Sequence, residues 1–172
     1  AWRNLIKAKG YSAINIGGLA MGMAVAMLIG LWVYDELSFD KYHKNYERIA
    51  QVMQHANYNG KVETQVSNPA LMGPELRNKY GDNFKYVVQS SWTGGHLLSV
   101  GDKHIAKVGT FFEPDAPDML SLKMLKGTRA GLKDPYSIIL SASAAESIFG
   151  KDDPINKVVK LDRNVDLKVT GV

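Results

Sequence analysis

The sequence predicts an α+β protein: one N-terminal transmembrane helix with a stalk, followed by a strand-rich extracytoplasmic domain of mixed helix and sheet. Three observations predict it. Tyr11 to Tyr34 runs for 24 residues without a charged side chain. The flanking charge changes sign across that stretch, basic before and acidic after. From Ile49 onward the apolar residues take a period of two, with turn signals between the runs.

As an α-helix rising ~1.5 Å per residue, Tyr11–Tyr34 reaches about 36 Å, enough to cross a ~30 Å hydrocarbon core with some tilt. A buried helix of a soluble core is hard to accommodate, because 172 residues leave little chain to wrap a helix that is apolar on every side. A cleavable signal peptide has a shorter apolar region, and no small-x-small site precedes the acidic cluster. Arg3, Lys7 and Lys9 stand before the span, and Asp35 and Glu36 directly after it. Basic residues are retained on the cytoplasmic side, so these five residues orient the helix with its N-terminus inside. Tyr11, Trp32 and Tyr34 fall where amphipathic rings prefer the headgroup layer. Gly18, Gly22, Ala26 and Gly30 recur every four residues, a strip along which a second helix can approach closely.

Bulk composition hides this division. The mean hydropathy of −0.17 and a pI near 9.2 describe an average over unlike parts. All 17 acidic residues follow Tyr34, so the basic excess belongs to the N-terminal flank. No basic stripe with interleaved aromatics exists, which argues against nucleic acid as a partner. The absence of cysteine excludes thiol catalysis and Cys-ligated zinc. The start on Ala1 and the stop on Val172, inside a strand-like run, lead us to expect a piece of a longer chain.

Taken in order, residues 1–10 form a basic cytoplasmic flank, either a short helix on the inner membrane surface or a frayed terminus. Residues 11–34 are the transmembrane helix and 35–48 a helical stalk, with Asp40 placed to cap a second turn and His43 on a solvated face. Residues 49–172 form the extracytoplasmic core domain. There, Ile49–Tyr58 and the half-buried strand Lys61–Val66 pair across Asn59-Gly60, a strong hairpin signal. Met72, Leu76 and Tyr80 share a face of a helix within Pro69–Tyr80 that starts either before or at Pro74. Phe84–Trp92 reads as a strand, broken by Thr93-Gly94-Gly95. Residues 96–100 and 104–112 make a hairpin across Gly101-Asp102, and Pro114 and Pro117 bracket a short irregular or helical piece. After a loop from Gly127 to Pro135, Ser137–Leu140 is a strand, Ser141 caps a helix ending at Phe149, and Gly150 stops it. Residues 155–161 and 165–170 pair across Asp162-Arg163-Asn164.

Motifs that carry chemistry are missing. Gly60-Lys61-Val62 and Gly150-Lys151-Asp152 lack the Ser/Thr and the glycine spacing of a phosphate loop. The four histidines have no metal-binding spacing, although His96 and His104 could face each other across a hairpin. No Gly-x-Ser-x-Gly elbow occurs, and Ser141 is explained as a cap. The residues suggest no enzyme, no catalytic or metal site and no cofactor.

The succession NLIKAKGYSAINIGGLAMGMA, the stalk DELSFDKYHKNYERIAQV, the later PYSIILSASAAESIFGKDDPINKVVKL and the closing DLKVTGV resemble the N-terminal part of MacB/FtsX-type ABC transporter permeases. The resemblance covers essentially the whole chain. It implies a first transmembrane helix followed by a periplasmic core domain in the bacterial cytoplasmic membrane. It further implies mechanotransmission: ATP hydrolysis on a separate or fused ATPase moves the helices, and the stalk carries the motion to the outer domain. The implied partners are that ABC ATPase, a second permease copy, membrane lipid and a periplasmic adaptor or substrate. Handled substrates in such a family are efflux, lipoprotein or cell-envelope molecules. Two other classes stay open on the residues alone, a single-span sensor or binding domain and an enzyme tethered to the envelope.

Overall fold

The computed structural model describes Lys7 and residues 9–39 and 41–172. Arg3, Asp40 and most of the 1–10 flank lie outside the described residues. The chain divides into two compact units that part between Tyr42 and His43.

The first unit is built on one helix, α1, Lys9–Ser38. None of its residues is buried, and it is apolar around its whole circumference. A helix of this length and composition can cross a membrane. The helix ends at Ser38, whose hydroxyl donates to the Asp35 carbonyl. The expected helical stalk over 35–48 is therefore corrected. Past Ser38 the described backbone makes turns, then one 3-10 turn at Tyr46–Arg48. The run DKYHKNYER offers too few apolar positions to hold a helix by packing.

The second unit carries two sheets. β1 (Gln54–Tyr58) and β2 (Lys61–Gln65) form an antiparallel hairpin. Asn59 and Gly60 have φ of 52° and 84°, the pair of positive values that a two-residue turn of matching twist needs. The half-buried expectation for β2 fails, since Val62 is 70% exposed and the ladder has no third strand. Asn68 closes the base of this hairpin, its amide donating to the carbonyls of Val52 and Val66. Helix α2, Met72–Tyr80, begins ahead of Pro74, which sits in the first turn where its missing N–H costs nothing.

Phe84–Trp92 is not a ladder strand, another correction. It is extended chain whose polar groups are met partly by the backbone of Phe111 and Glu113 and partly by side chains. The Gln89 N–H donates to the Glu113 carboxylate, and the Val87 carbonyl accepts from Arg77. A single bridge, Ser90 to Phe112, continues the neighbouring hairpin irregularly. That hairpin is β3 (Gly94–Val100) with β4 (Lys103–Gly109), so Gly94 and Gly95 lie inside a strand and do not break the chain. Ala116–Met119 is a single helical turn, α3.

β5 (Ser137–Ile139), α4 (Ala142–Phe149), β6 (Val158–Leu161) and β7 (Val165–Gly171) complete the unit. Ser141 caps α4 by accepting from the Ala144 N–H, and Gly150 ends the helix at φ 64°. The five-stranded sheet has the order β4-β3-β6-β7-β5, antiparallel except for the β5–β7 pair. Alternation puts Leu98, Val159, Leu161, Leu167 and Val169 on one face, where α4 covers them with Ala144, Ala145, Ile148 and Phe149. Val159 and Val169, at 0% exposure, mark the centre of that core. The opposite face carries cross-strand polar pairs, Lys160 with Asp166 and Ser99 with His104.

Candidate functional site

The ends of α1 carry charge against the helix's own preference. Lys7 and Lys9 stand at its N-terminal end, and Asp35 and Glu36 in its last two turns. The helix macrodipole favours the reverse at both ends, by ~0.3–1 kcal/mol per charge. Helix stability therefore does not explain these four residues. A Cβ added at Gly18, Gly22 or Gly30 would meet nothing within 4 Å. Ala26 is exposed as well. At ~100° per residue the four positions follow a diagonal stripe over about a third of the circumference. Ala13, Gly17, Ala20 and Ala24 make a second row of small residues on the opposite side. Their 4-3-4 spacing is written in the sequence but does not follow the every-fourth-residue repeat of the first row.

In the second unit, a cleft of about 390 Å³ opens beside the N-terminal end of α4. Its floor is the α4-covered face of the sheet, and its walls come from the segments 109–122 and 132–135. Three charged or titratable side chains line it: His96, Lys107 and Asp134. His96 donates from Nδ1 to Asp162 Oδ2 at 2.8 Å and meets the Phe111 ring edge-on at 5.4 Å. Asp162 also accepts the Leu97 N–H at 2.8 Å. The His96 hydrogen bond, then that N–H, hold its carboxyl below the ordinary aspartate range. Asp134 accepts the Tyr136 N–H and lies 3.9 Å from Lys168. Lys107 is half-buried, with no hydrogen bond or ion pair among the described residues.

Where the chain enters this unit, His43 donates from Nδ1 to the Leu120 carbonyl at 2.6 Å, and the Asn45 amide donates to Ser121 Oγ at 3.3 Å. Ser121 holds φ 54°, unusual for a residue with a side chain. His43 is thus half-buried and engaged, contrary to the solvated face expected of it. Nothing in the local run of Lys41, Tyr42 and Lys44 signals a partner 77 positions away.

His96 and His104 do not face each other. The register sets His96 against Lys107 and His104 against Ser99. The Ser99–His104 hydrogen bond of 2.8 Å has a counterpart in His55–Thr64, also 2.8 Å, across the other hairpin. A recurring cross-strand pair is ordinary sheet chemistry. Among the described residues no group of three His, Cys, Asp or Glu is placed to hold a metal ion.

A model of the MacB-like periplasmic core domain matches residues 12–172. No curated protein and no solved structure matches the chain.

Proposed function

The chain belongs to the MacB-like periplasmic core domain family, and from that premise we propose that it is the part of an ABC-type permease that carries ATP-driven motion from the membrane to an outer domain. The family is one of ABC transporter permeases, which are not themselves enzymes, and the chain pairs a long apolar helix with a strand-rich domain. The finer reading is that α1 lies in the cytoplasmic membrane with its N-terminus inside and the second unit outside. The reversed end charges support it, because Lys7 and Lys9, with Arg3, suit the inner surface while Asp35 and Glu36 suit the outer. An ATPase subunit supplies the energy, and a second permease copy packs along Gly18, Gly22, Ala26 and Gly30.

The observation that carries transmission is the bonded entry of the chain into the outer unit. His43 and Asn45 are tied to Leu120 and Ser121, so displacement of the entering chain pulls directly on a loop of the folded body. In the assembled transporter, His43→Ala is expected to leave basal ATP hydrolysis unchanged while lowering its coupling to transport several-fold, and coupling equal to the parent's would overturn this role. Orientation is tested separately. The chain has no cysteine, so Lys7→Cys and Asn59→Cys report cleanly. An impermeant thiol reagent applied to intact cells should label the second and spare the first.

A further inference from the structure

We propose that the cleft beside α4 binds a small amphiphile with an apolar body and a single anionic group, and that Lys107 receives the anion. The volume of about 390 Å³ falls within the ~300–1,000 Å³ of small-molecule sites, too little for a folded segment of another protein. Leu98, Leu120, Ile138, Leu161 and Leu167 supply apolar lining, so what enters must be largely apolar to repay its dehydration.

The charges lining the cleft then select the sign of the polar group. Asp134 is occupied by Lys168 and by a backbone N–H, and His96 is occupied by Asp162. Lys107 alone is left without an opposite charge among the described residues. Lys107 lays its stem along the apolar lining of the cleft, and an anion held there would give its ammonium the opposite charge that no described residue supplies. An edge-strand lysine also discourages strand-to-strand association, as befits β4 at the edge of the sheet. That duty is performed from solvent, whereas Lys107 is half-buried along the cleft. A cationic occupant would find no unpaired carboxylate here. The wall residue Leu120 is the one whose carbonyl holds His43, so an occupant touches the loop that anchors the entering chain.

The site is tested on this chain without any ATPase, so its failure leaves the transport reading untouched. The full chain in phosphatidylcholine nanodiscs is titrated with anilinonaphthalene sulfonate and with N-phenylnaphthylamine, which shares the aromatic body and lacks the charge. Fluorescence of empty nanodiscs is subtracted. The sulfonate should saturate one site and bind more tightly than the neutral probe. Lys107→Glu should weaken the sulfonate about tenfold, the scale of one charged hydrogen bond at a partly wet site, and leave the neutral probe unchanged. Lys107→Arg, and Lys151→Glu on the exposed turn after α4, should stay within about twofold of the parent for both probes. Sulfonate binding that is indifferent to Lys107→Glu, that never saturates above empty nanodiscs, or that is matched by the neutral probe overturns the proposal. Thermal melts confirm that each variant is folded.

Discussion

Asp162 holds together two strands that barely pair. The β3–β6 ladder has only two residue pairs, Leu98 with Leu161 and Ser99 with Lys160. Asp162 prolongs it with three bonds: its N–H to the Leu97 carbonyl, and its carboxylate to the Leu97 N–H and to His96. Arg77 and Glu113 do similar work for α2, with a two-point ion pair of 2.7 and 2.9 Å that also receives the Gln89 N–H. The Arg77 hydrogen bond is the main cause that holds the Glu113 carboxyl below the ordinary glutamate range. Both carboxylates have depressed folded-state values, so their stabilisation is complete above the ordinary carboxylate range and disappears as pH falls through the folded-state values. Near-ultraviolet circular dichroism of the full chain in detergent should show a falling Tm below about pH 4. The double variant Glu113→Gln, Asp162→Asn should melt lower at neutral pH and lose less on acidification, and an unaltered acid slope would count against both contacts. The side chains of Arg77 and Glu113 are 39% and 31% exposed, so screening limits Glu113→Gln to about 1 kcal/mol.

Among the elements, the β1–β2 hairpin and the centre of the five-stranded sheet stand at opposite ends of a stability range. The hairpin has free edges on both sides and an exposed Val62, and two strands alone are marginal in water. Its backbone amides should exchange with deuterium orders of magnitude faster than those of Val159 and Val169, which lie at the centre of the five-stranded sheet. Equal protection would mean the hairpin is covered in solution. Asn68→Ala removes both bonds at its base and should accelerate exchange further. Helix α4 has only 8 residues and depends on its cap and its buried face. Ser141→Ala should cost about 1 kcal/mol in a denaturant titration. This element was legible in the sequence almost residue by residue. Phe84–Trp92 was not, because alternating apolar residues look alike whether a full ladder or one bridge and a few side chains satisfy the backbone between them.

For the whole molecule the deciding question is what α1 packs against. Its small residues have open space around them in this chain, and in lipid close packing is what associates helices. Gly22→Leu inserts a branched side chain where a second backbone is proposed to approach, while Met23→Leu nearly conserves volume off the stripe. Both variants should reach the membrane, since leucine suits a span better than glycine. Crosslinking between subunits should be lost in Gly22→Leu and kept in Met23→Leu. Equal crosslinking would place the contact elsewhere, with the row Ala13, Gly17, Ala20 and Ala24 the next face to substitute.

By itself the sequence determined what depends on neighbours within a few positions. The apolar length of α1, the Asn59-Gly60 turn, the Ser141 cap and Gly150 stop, and the alternation in β7 are all of this kind, and each appears in the structure. Family resemblance rested on the same local runs read in order, and the family match covers them from residue 12 onward. Only the tertiary structure decided the strand order, the separation of the hairpin from the main sheet, the grip of His43 on Leu120, and the cleft that Lys107 lines. The β5–β7 and β3–β6 pairings and the grip on Leu120 join residues from 31 to 77 positions apart. The free energy of such a contact depends on how the intervening chain closes and what it buries, and no local period encodes either.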